Sequence, residues 1–264
     1  SGIVYQKKHQ WCYLMMSIRE EESCMNRFKE QAMKIVFMVA ACASVLAVFL
    51  ICLFLFANGI PAIAKIGPLK FLLGTVWKPS NDKFGIFPMI IASIYVTGGA
   101  ILVGVPIALF TSVFMARYCP KKIYRPLKSG IELMAGVPSI VYGLFGMLFF
   151  VTACHMSYSL MAGILTVAIM VLPTVLRTTE EALLAVPDSF REGSFGLGAG
   201  KLRTVFRIVL PSAIPGILSG VILSTGRIAG ETAALIYTAG TMATLPKNLL
   251  SSGRTLAVHM YVFG

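Results

Sequence analysis

The chain has 264 residues, 57% of them hydrophobic and only 13% charged, with a mean hydropathy of +0.81 and a net charge of +12. So little charge cannot cover so much apolar surface in water, which excludes a soluble globular domain and makes lipid the solvent for most of the chain. The six cysteines (Cys12, Cys24, Cys42, Cys52, Cys119, Cys154) include no CxxC pair and the three histidines are scattered, so neither a metal nor a redox centre is expected.

Residues 1–33 are polar, with Glu20, Glu21, Glu22, Arg27 and Lys29 at helix-like spacing. They are too long and too acidic for the head of a signal peptide, and are read as a cytoplasmic N-terminal extension, either an amphipathic surface helix or a solvated segment. The membrane domain, 34–264, begins with the uncharged run 35–57, whose 23 residues suffice to cross ~30 Å of hydrocarbon. Asn58-Gly59-Ile60-Pro61 is expected to break that helix. Beyond it, Trp77 suits the interfacial belt. Residues 86–116 are again charge-free, with Pro106 expected to kink the helix, and Arg117, Lys121, Lys122, Arg125 and Lys128 follow. The 44 residues 133–176 lack Asp, Glu, Lys and Arg, which predicts two helices joined by a turn at 155–159, the first opened by Glu132. A polar, glycine-rich insert, 177–207, precedes a fifth uncharged run at 208–226. The apolar pieces 232–246 and 255–264 are too short to span alone.

Counting Lys and Arg by loop gives six in 1–34, five after Ala116 and five in the insert, against four before Ile86 and none around His155. Sixteen against four places the first group in the cytoplasm, N-terminus included. The basic bias therefore reads as topology rather than nucleic-acid binding. The predicted fold is all-α and polytopic, with five visible spans.

Gly196-Leu197-Gly198-Ala199-Gly200-Lys201 has the look of a phosphate cradle but fails the nucleotide test: Phe195 stands where the first glycine belongs, Leu202 where Ser or Thr would hold magnesium. No triad signature and no carboxylate pair with a plausible aqueous pocket appears either, so no enzyme activity and no bound cofactor are expected of this chain. Arg227 and Glu231, four apart at the end of a span, are either an anchoring ion pair or pathway residues. In the second reading Arg227 offers a forked donor to an oxyanion and Glu231 holds the guanidinium. Glu132 favours a helix N-terminus or belongs to the same pathway.

The segment Arg191-Glu192-Gly193-Ser194, three residues, Gly198, nine residues, then Ile208-x-Leu210-Pro211 resembles the EAA loop of ABC importer permeases, with Gly193 and Ser194 in place of two alanines. Small residues let a short helix pack closely on a partner, Gly198 suits a φ > 0 turn that ends it, and Pro211 suits the first turn of the next helix. The resemblance implies that the loop 177–211 couples the chain to a separate ATP-hydrolysing subunit, which holds the ATP and Mg. Residues 131–143, 226–233, 71–79 and 84–88 resemble phosphate-specific importers, of PstC type rather than PstA type. That likeness implies a type I importer (MetI-like) fold with a sixth span beyond residue 264. It also implies a multi-pass place in the bacterial inner membrane and alternating-access passage of phosphate past Arg227 and Glu231. The expected partners are a sister permease, two ATP-binding subunits and an external phosphate-binding protein, within membrane lipid and without nucleic acid. The alternatives are a permease for molybdate, sulfate or phosphonate, or a channel or sensor component without ATP coupling.

Overall fold

The computed structural model describes the backbone of residues 2–263 except 82, and the side chains of residues 30–263 with the same exception. The chain divides into two units, Ser1–Ile66 and Gly67–Gly264. The first is a single helix, α1 (Gly2–Ile66), of which Glu30–Ile66 is long and apolar enough to cross a membrane. The helix runs through residue 33 without a break; the polar face expected within 1–33 falls largely on side chains outside the described residues. The break expected at Asn58-Gly59-Ile60-Pro61 does not occur. Asn58 Nδ2 instead donates to Phe54 O at 2.9 Å along the helix, and Pro61 is accommodated inside it. A proline removes one bond of the ladder, and an apolar helix in lipid has no competing partner for its other backbone groups, so it tolerates the loss.

The second unit opens with α2 (Pro68–Leu73) and a small antiparallel hairpin, β1 (Trp77–Lys78) and β2 (Lys83–Phe84), pairing Trp77 with Phe84. Gly74 and Gly85 close its base back to back. A Cβ on Gly85 would stand 2.6 Å from Gly74 Cα, so both positions need glycine.

α3 (Phe87–Arg117) runs unbroken through Pro106. It buries Ala92, Val96, Ala100, Gly104, Ala108 and Ser112, every fourth residue, as a ridge of small side chains. Against this ridge lies α6 (Leu160–Leu184), the most buried of the long apolar helices, and Ser112 Oγ donates across the interface to Leu176 O at 2.9 Å. Small residues allow this approach, and an interhelical hydrogen bond is favoured where water is absent.

Between them lie α4 (Lys121–Ala135) and α5 (Ser139–Gly146), the latter extended by a wide turn over Met147–Ala153. The two helices meet at 97°. The span expected to begin at 133 therefore begins at Ser139, and Glu132 lies in the last turn of α4 rather than opening a span. Two features make the corner: Pro138 disfavours a helical conformation for Val137, and Tyr142 Oη donates back to Met134 O at 2.8 Å. The turn expected at 155–159 is present. His155 and Ser157 take φ of 52° and 54°, and Ser159 caps α6 by accepting from Ala162 N–H at 3.2 Å.

After α6 come α7 (Asp188–Gly196), α8 (Lys201–Thr204) and α9 (Leu210–Ala229), the last two joined through a π turn at Val205–Val209 into one helix, Lys201–Ala229. The helix thus starts seven residues before the expected 208, and Pro211 lies well inside it rather than in its first turn. The wide turn explains the tolerance: Leu210 N–H reaches back to Val205 O, which loosens the ladder where Pro211 has no N–H to give. Where α9 crosses α6, Gly216 and Gly220 face Ala182 and Thr178, and a Cβ on Gly216 would come within 2.6 Å of Ala182 Cβ. α10 (Ala233–Thr238), a loop and α11 (Leu256–Phe263) close over one end of α6, whose first amides donate to Ser251 O and Leu249 O. Among the described residues, four helices have the length and composition of membrane spans, or five with the bent α4–α5 pair.

Candidate functional site

The polar insert folds as a helix, a tight turn and a second helix. Pro187 precedes α7, Asp188 supplies a negative charge to its first turn, and Arg191 Nη1 lies 3.4 Å from Asp188 Oδ1. Gly198 ends the helix with φ of +79°, the conformation the sequence predicted for it. Gly198 N–H donates to Phe195 O at 2.9 Å and Ala199 N–H to Ser194 O at 3.1 Å, a complete Schellman closure that satisfies the final carbonyls.

One face of α7 turns inward. Ser194 is buried, and its Oγ lies 2.9 Å from the Oγ1 of Thr204, itself buried at the start of the spanning helix. Thr204 also donates to Gly200 O at 3.1 Å, which uses its single proton, so Ser194 is the donor to Thr204. The pair ties the short helix directly to the base of the span. Sequence reasoning read Ser194 only as a small residue and passed over Thr204, since a hydroxyl pair ten residues apart leaves no periodic signal. The opposite face of α7 is open: Ser189, Glu192, Gly193 and Gly196 are exposed, Leu197 beyond them is 90% exposed, and a Cβ on Gly193 or Gly196 would meet nothing within 4 Å. No packing within the chain requires glycine there. Leu210 is half-buried and Pro211 exposed, six and seven residues beyond Thr204 along the same helix.

The residues expected along a pathway are not gathered. The helix ends at Ala229, so Arg227 and Glu231 do not share a helical face. Glu231 is nearly buried and its Oε1 accepts from Ala234 N–H at 3.1 Å, capping α10. This corrects the expectation that Glu231 holds the guanidinium. Arg227 is exposed, its nearest hydrogen-bond partner Thr174 Oγ1 at 3.5 Å, and it forms no ion pair among the described residues. Glu132 lies elsewhere, in a cavity of about 140 Å³ between α4 and α6 with Lys128, Arg177, Glu180 and Glu181. There Arg177 pairs with Glu181 at 3.0 Å, and Tyr124 Oη donates to the buried Glu180 at 2.7 Å, a bond that pins α4 to α6 and that sequence reasoning did not find. No cluster of His, Cys, Asp and Glu able to hold a metal ion occurs among the described residues.

Residues 104–263 match the family of binding-protein-dependent transport system inner membrane components. The probable ABC transporter permease YqgI of Bacillus subtilis is 33% identical over 240 residues, covering 85% of this chain and 80% of its own. The phosphate transport system permease PstC of Mesorhizobium japonicum is 29% identical, covering 77% of this chain and 69% of its own. The phosphate transport system permease PstA 1 of Mycobacterium tuberculosis is 36% identical, covering 61% and 53%. Among solved structures, a chain of the MetNI methionine ABC transporter in an inward-facing conformation aligns with a TM-score of 0.50 at 20% identity, over 68% of this chain and 78% of that one. The helical fold, its apolar spans and the match over most of the second unit make this chain a member of the binding-protein-dependent inner membrane component family, a multi-pass permease of an ABC importer.

Proposed function

We propose that the chain is the PstC-type permease subunit of an ATP-driven phosphate importer, working by alternating access with ATP hydrolysed by separate subunits. The observation that carries the coupling is α7: a short helix with an open face of small residues, closed by Gly198 and bonded through Ser194 to the base of a spanning helix. A partner seated on Ser189, Glu192, Gly193 and Gly196 moves α7 as a lever, and the Ser194–Thr204 bond carries that movement into Lys201–Ala229. Arg191, Glu192, Gly193, Ser194, Gly198, Leu210 and Pro211 form the coupler in this account.

Phosphate as the cargo is supported by the PstC and PstA relatives, and by Arg227, whose guanidinium is free to offer two parallel donors to an oxyanion. Glu231 serves by capping α10 just beyond the end of the arginine's helix, and Glu132 by its place in the charged cavity between α4 and α6. The N-terminus and the 177–211 loop lie in the cytoplasm, where sixteen of the counted cations gather. The assembly comprises a sister permease, two ATP-binding subunits that hold ATP and Mg, and an external phosphate-binding protein. The test is uptake of radiolabelled phosphate by the reconstituted complex. ATP-dependent uptake that excess sulfate and molybdate leave intact is expected; equal inhibition by either would assign a different or broader oxyanion cargo.

A further inference from the structure

A second basic site lies apart from Arg227, where the end of α3 meets the coupling loop. A cavity of about 230 Å³ is lined by Arg117, Tyr118, Arg191, Phe195, Lys201 and Thr204, with three cations among them. The carboxylate beside it, Asp188, pairs with Arg191, leaving the group with a net charge of two by simple count. Arg117 donates through Nη2 to Leu183 O at 2.6 Å, which fixes the guanidinium, while its Nε is buried with no hydrogen-bond partner. Lys201 and Thr204 belong to the first turn of the long helix Lys201–Ala229, whose leading amides carry the positive end of its dipole. Three cations lining one cavity repel one another when it is empty, and together with the helix N-terminus beside them they are mutually compatible around an anion. At about 30 Å³ per water, the cavity has room for a tetrahedral oxyanion and its remaining hydration.

We propose that this cavity binds a phosphate group, supplied either by free inorganic phosphate or by the headgroup of an anionic lipid. A bound phosphate bridges Arg117 on one spanning helix to Arg191 and Lys201 on either side of the loop turn, so occupancy biases the position of α7. The proposal does not depend on which ion the permease carries.

The test uses the membrane complex of permeases and ATP-binding subunits without the external phosphate-binding protein, carrying Arg227→Ala so that the pathway arginine contributes nothing, in neutral detergent. Equilibrium dialysis with radiolabelled phosphate is expected to show one saturable site per chain, weakened about tenfold by Lys201→Gln and abolished by Arg117→Gln with Lys201→Gln. Lys201 is exposed, so its single replacement keeps the assay interpretable if the double variant does not fold. In parallel, native mass spectrometry after purification in phosphatidylglycerol or phosphatidylcholine reads the lipid source; retention of the anionic lipid alone, lost in Lys201→Gln, supports the headgroup. Hydrogen exchange of residues 188–199 is expected to slow when the phosphate source is added. Absence of both binding signals, or binding unchanged by Lys201→Gln and by the double variant, overturns the proposal, as does a carboxylate of the ATPase subunit found seated in the cavity.

Discussion

The bond between Ser194 and Thr204 offers a graded test of how the loop is attached to its span. Thr204 uses its proton on Gly200 O and receives that of Ser194, so the two ends of the bond are not equivalent. Ser194→Ala removes one buried hydrogen bond but leaves Thr204 still donating, at a cost of about 1 kcal/mol. Thr204→Val keeps the shape, loses both bonds and leaves a buried Ser194 hydroxyl unsatisfied, at a cost of roughly 2–3 kcal/mol. The amides of Gly198 and Ala199, bonded to Phe195 O and Ser194 O, report on local opening of this corner by hydrogen exchange. With every ~1.4 kcal/mol worth tenfold, Ser194→Ala should speed their exchange by about fivefold and Thr204→Val by about thirtyfold or more. The double variant should be milder than Thr204→Val rather than the product of the two, because the second change removes the hydroxyl that the first left orphaned. The ratio of phosphate carried to ATP hydrolysed should fall in the same order. Equal effects from the two single variants, or simple additivity, would refute the assigned direction of the bond and its role in transmission.

Other positions give sharper yes-or-no outcomes. Gly198→Val forces a β-branched residue to a φ of +79°, costing at least about 1–2 kcal/mol; ATPase stimulation by the binding protein should drop while the subunit still inserts, and an unchanged coupling ratio would contradict the account. Gly220→Ile drives a side chain into Thr178, so α6 and α9 must separate; the variant should lose thermal stability by several degrees, whereas Gly193→Ala, with open space at its Cβ, should not. Replacing Arg227 by Ala should abolish phosphate uptake with assembly intact, as read by co-purification of the ATP-binding subunits. His259 is buried against Trp77 and Phe263 with Arg254 donating to its Nδ1, so burial first and the neighbouring guanidinium second hold its pKa below the usual imidazole value. A depressed imidazole pKa means the neutral form is the one the fold favours. Its contribution is present above about pH 6.5 and is lost as the pH falls below that. Melting curves of His259→Gln should therefore lose part of the acid-side destabilisation.

The apolar runs were legible because lipid enforces a simple rule: every long uncharged segment must become a helix. The five candidate spans followed from the positions and lengths of the uncharged runs, and the turn at 155–159 from a 44-residue run being long enough for two helices. The helix ends were less legible, because two signals that terminate helices in water do not do so here. Asn58-Gly59-Ile60-Pro61 stays helical, and Pro211 sits within a helix whose π turn absorbs it. The opposite failure occurs at Gly136-Val137-Pro138, where an uncharged run conceals a 97° corner made by one proline and one tyrosine hydroxyl. In the polar insert the local conformations were readable: a short helix, and φ > 0 at Gly198. The bond that ties the loop to its span, Ser194 to Thr204, and the one that holds α3 to α6, Arg117 to Leu183 O, join residues with no shared periodicity. Arg227 and Glu231 mark the limit of spacing arguments: four residues apart means one face only where the helix continues, and here it stops at Ala229.

The central claim is that the open face of α7 is where the ATPase subunit sits. In a cysteine-free background, Gly193→Cys carries a thiol on that face and Ser157→Cys carries one in the turn between α5 and α6, assigned to the other side of the membrane. Short-arm cross-linking of the assembled complex should join residue 193, and not residue 157, to the ATP-binding subunit, with a yield that changes when ATP is bound. An assembled, transport-competent complex in which residue 193 gives no such cross-link would contradict the account.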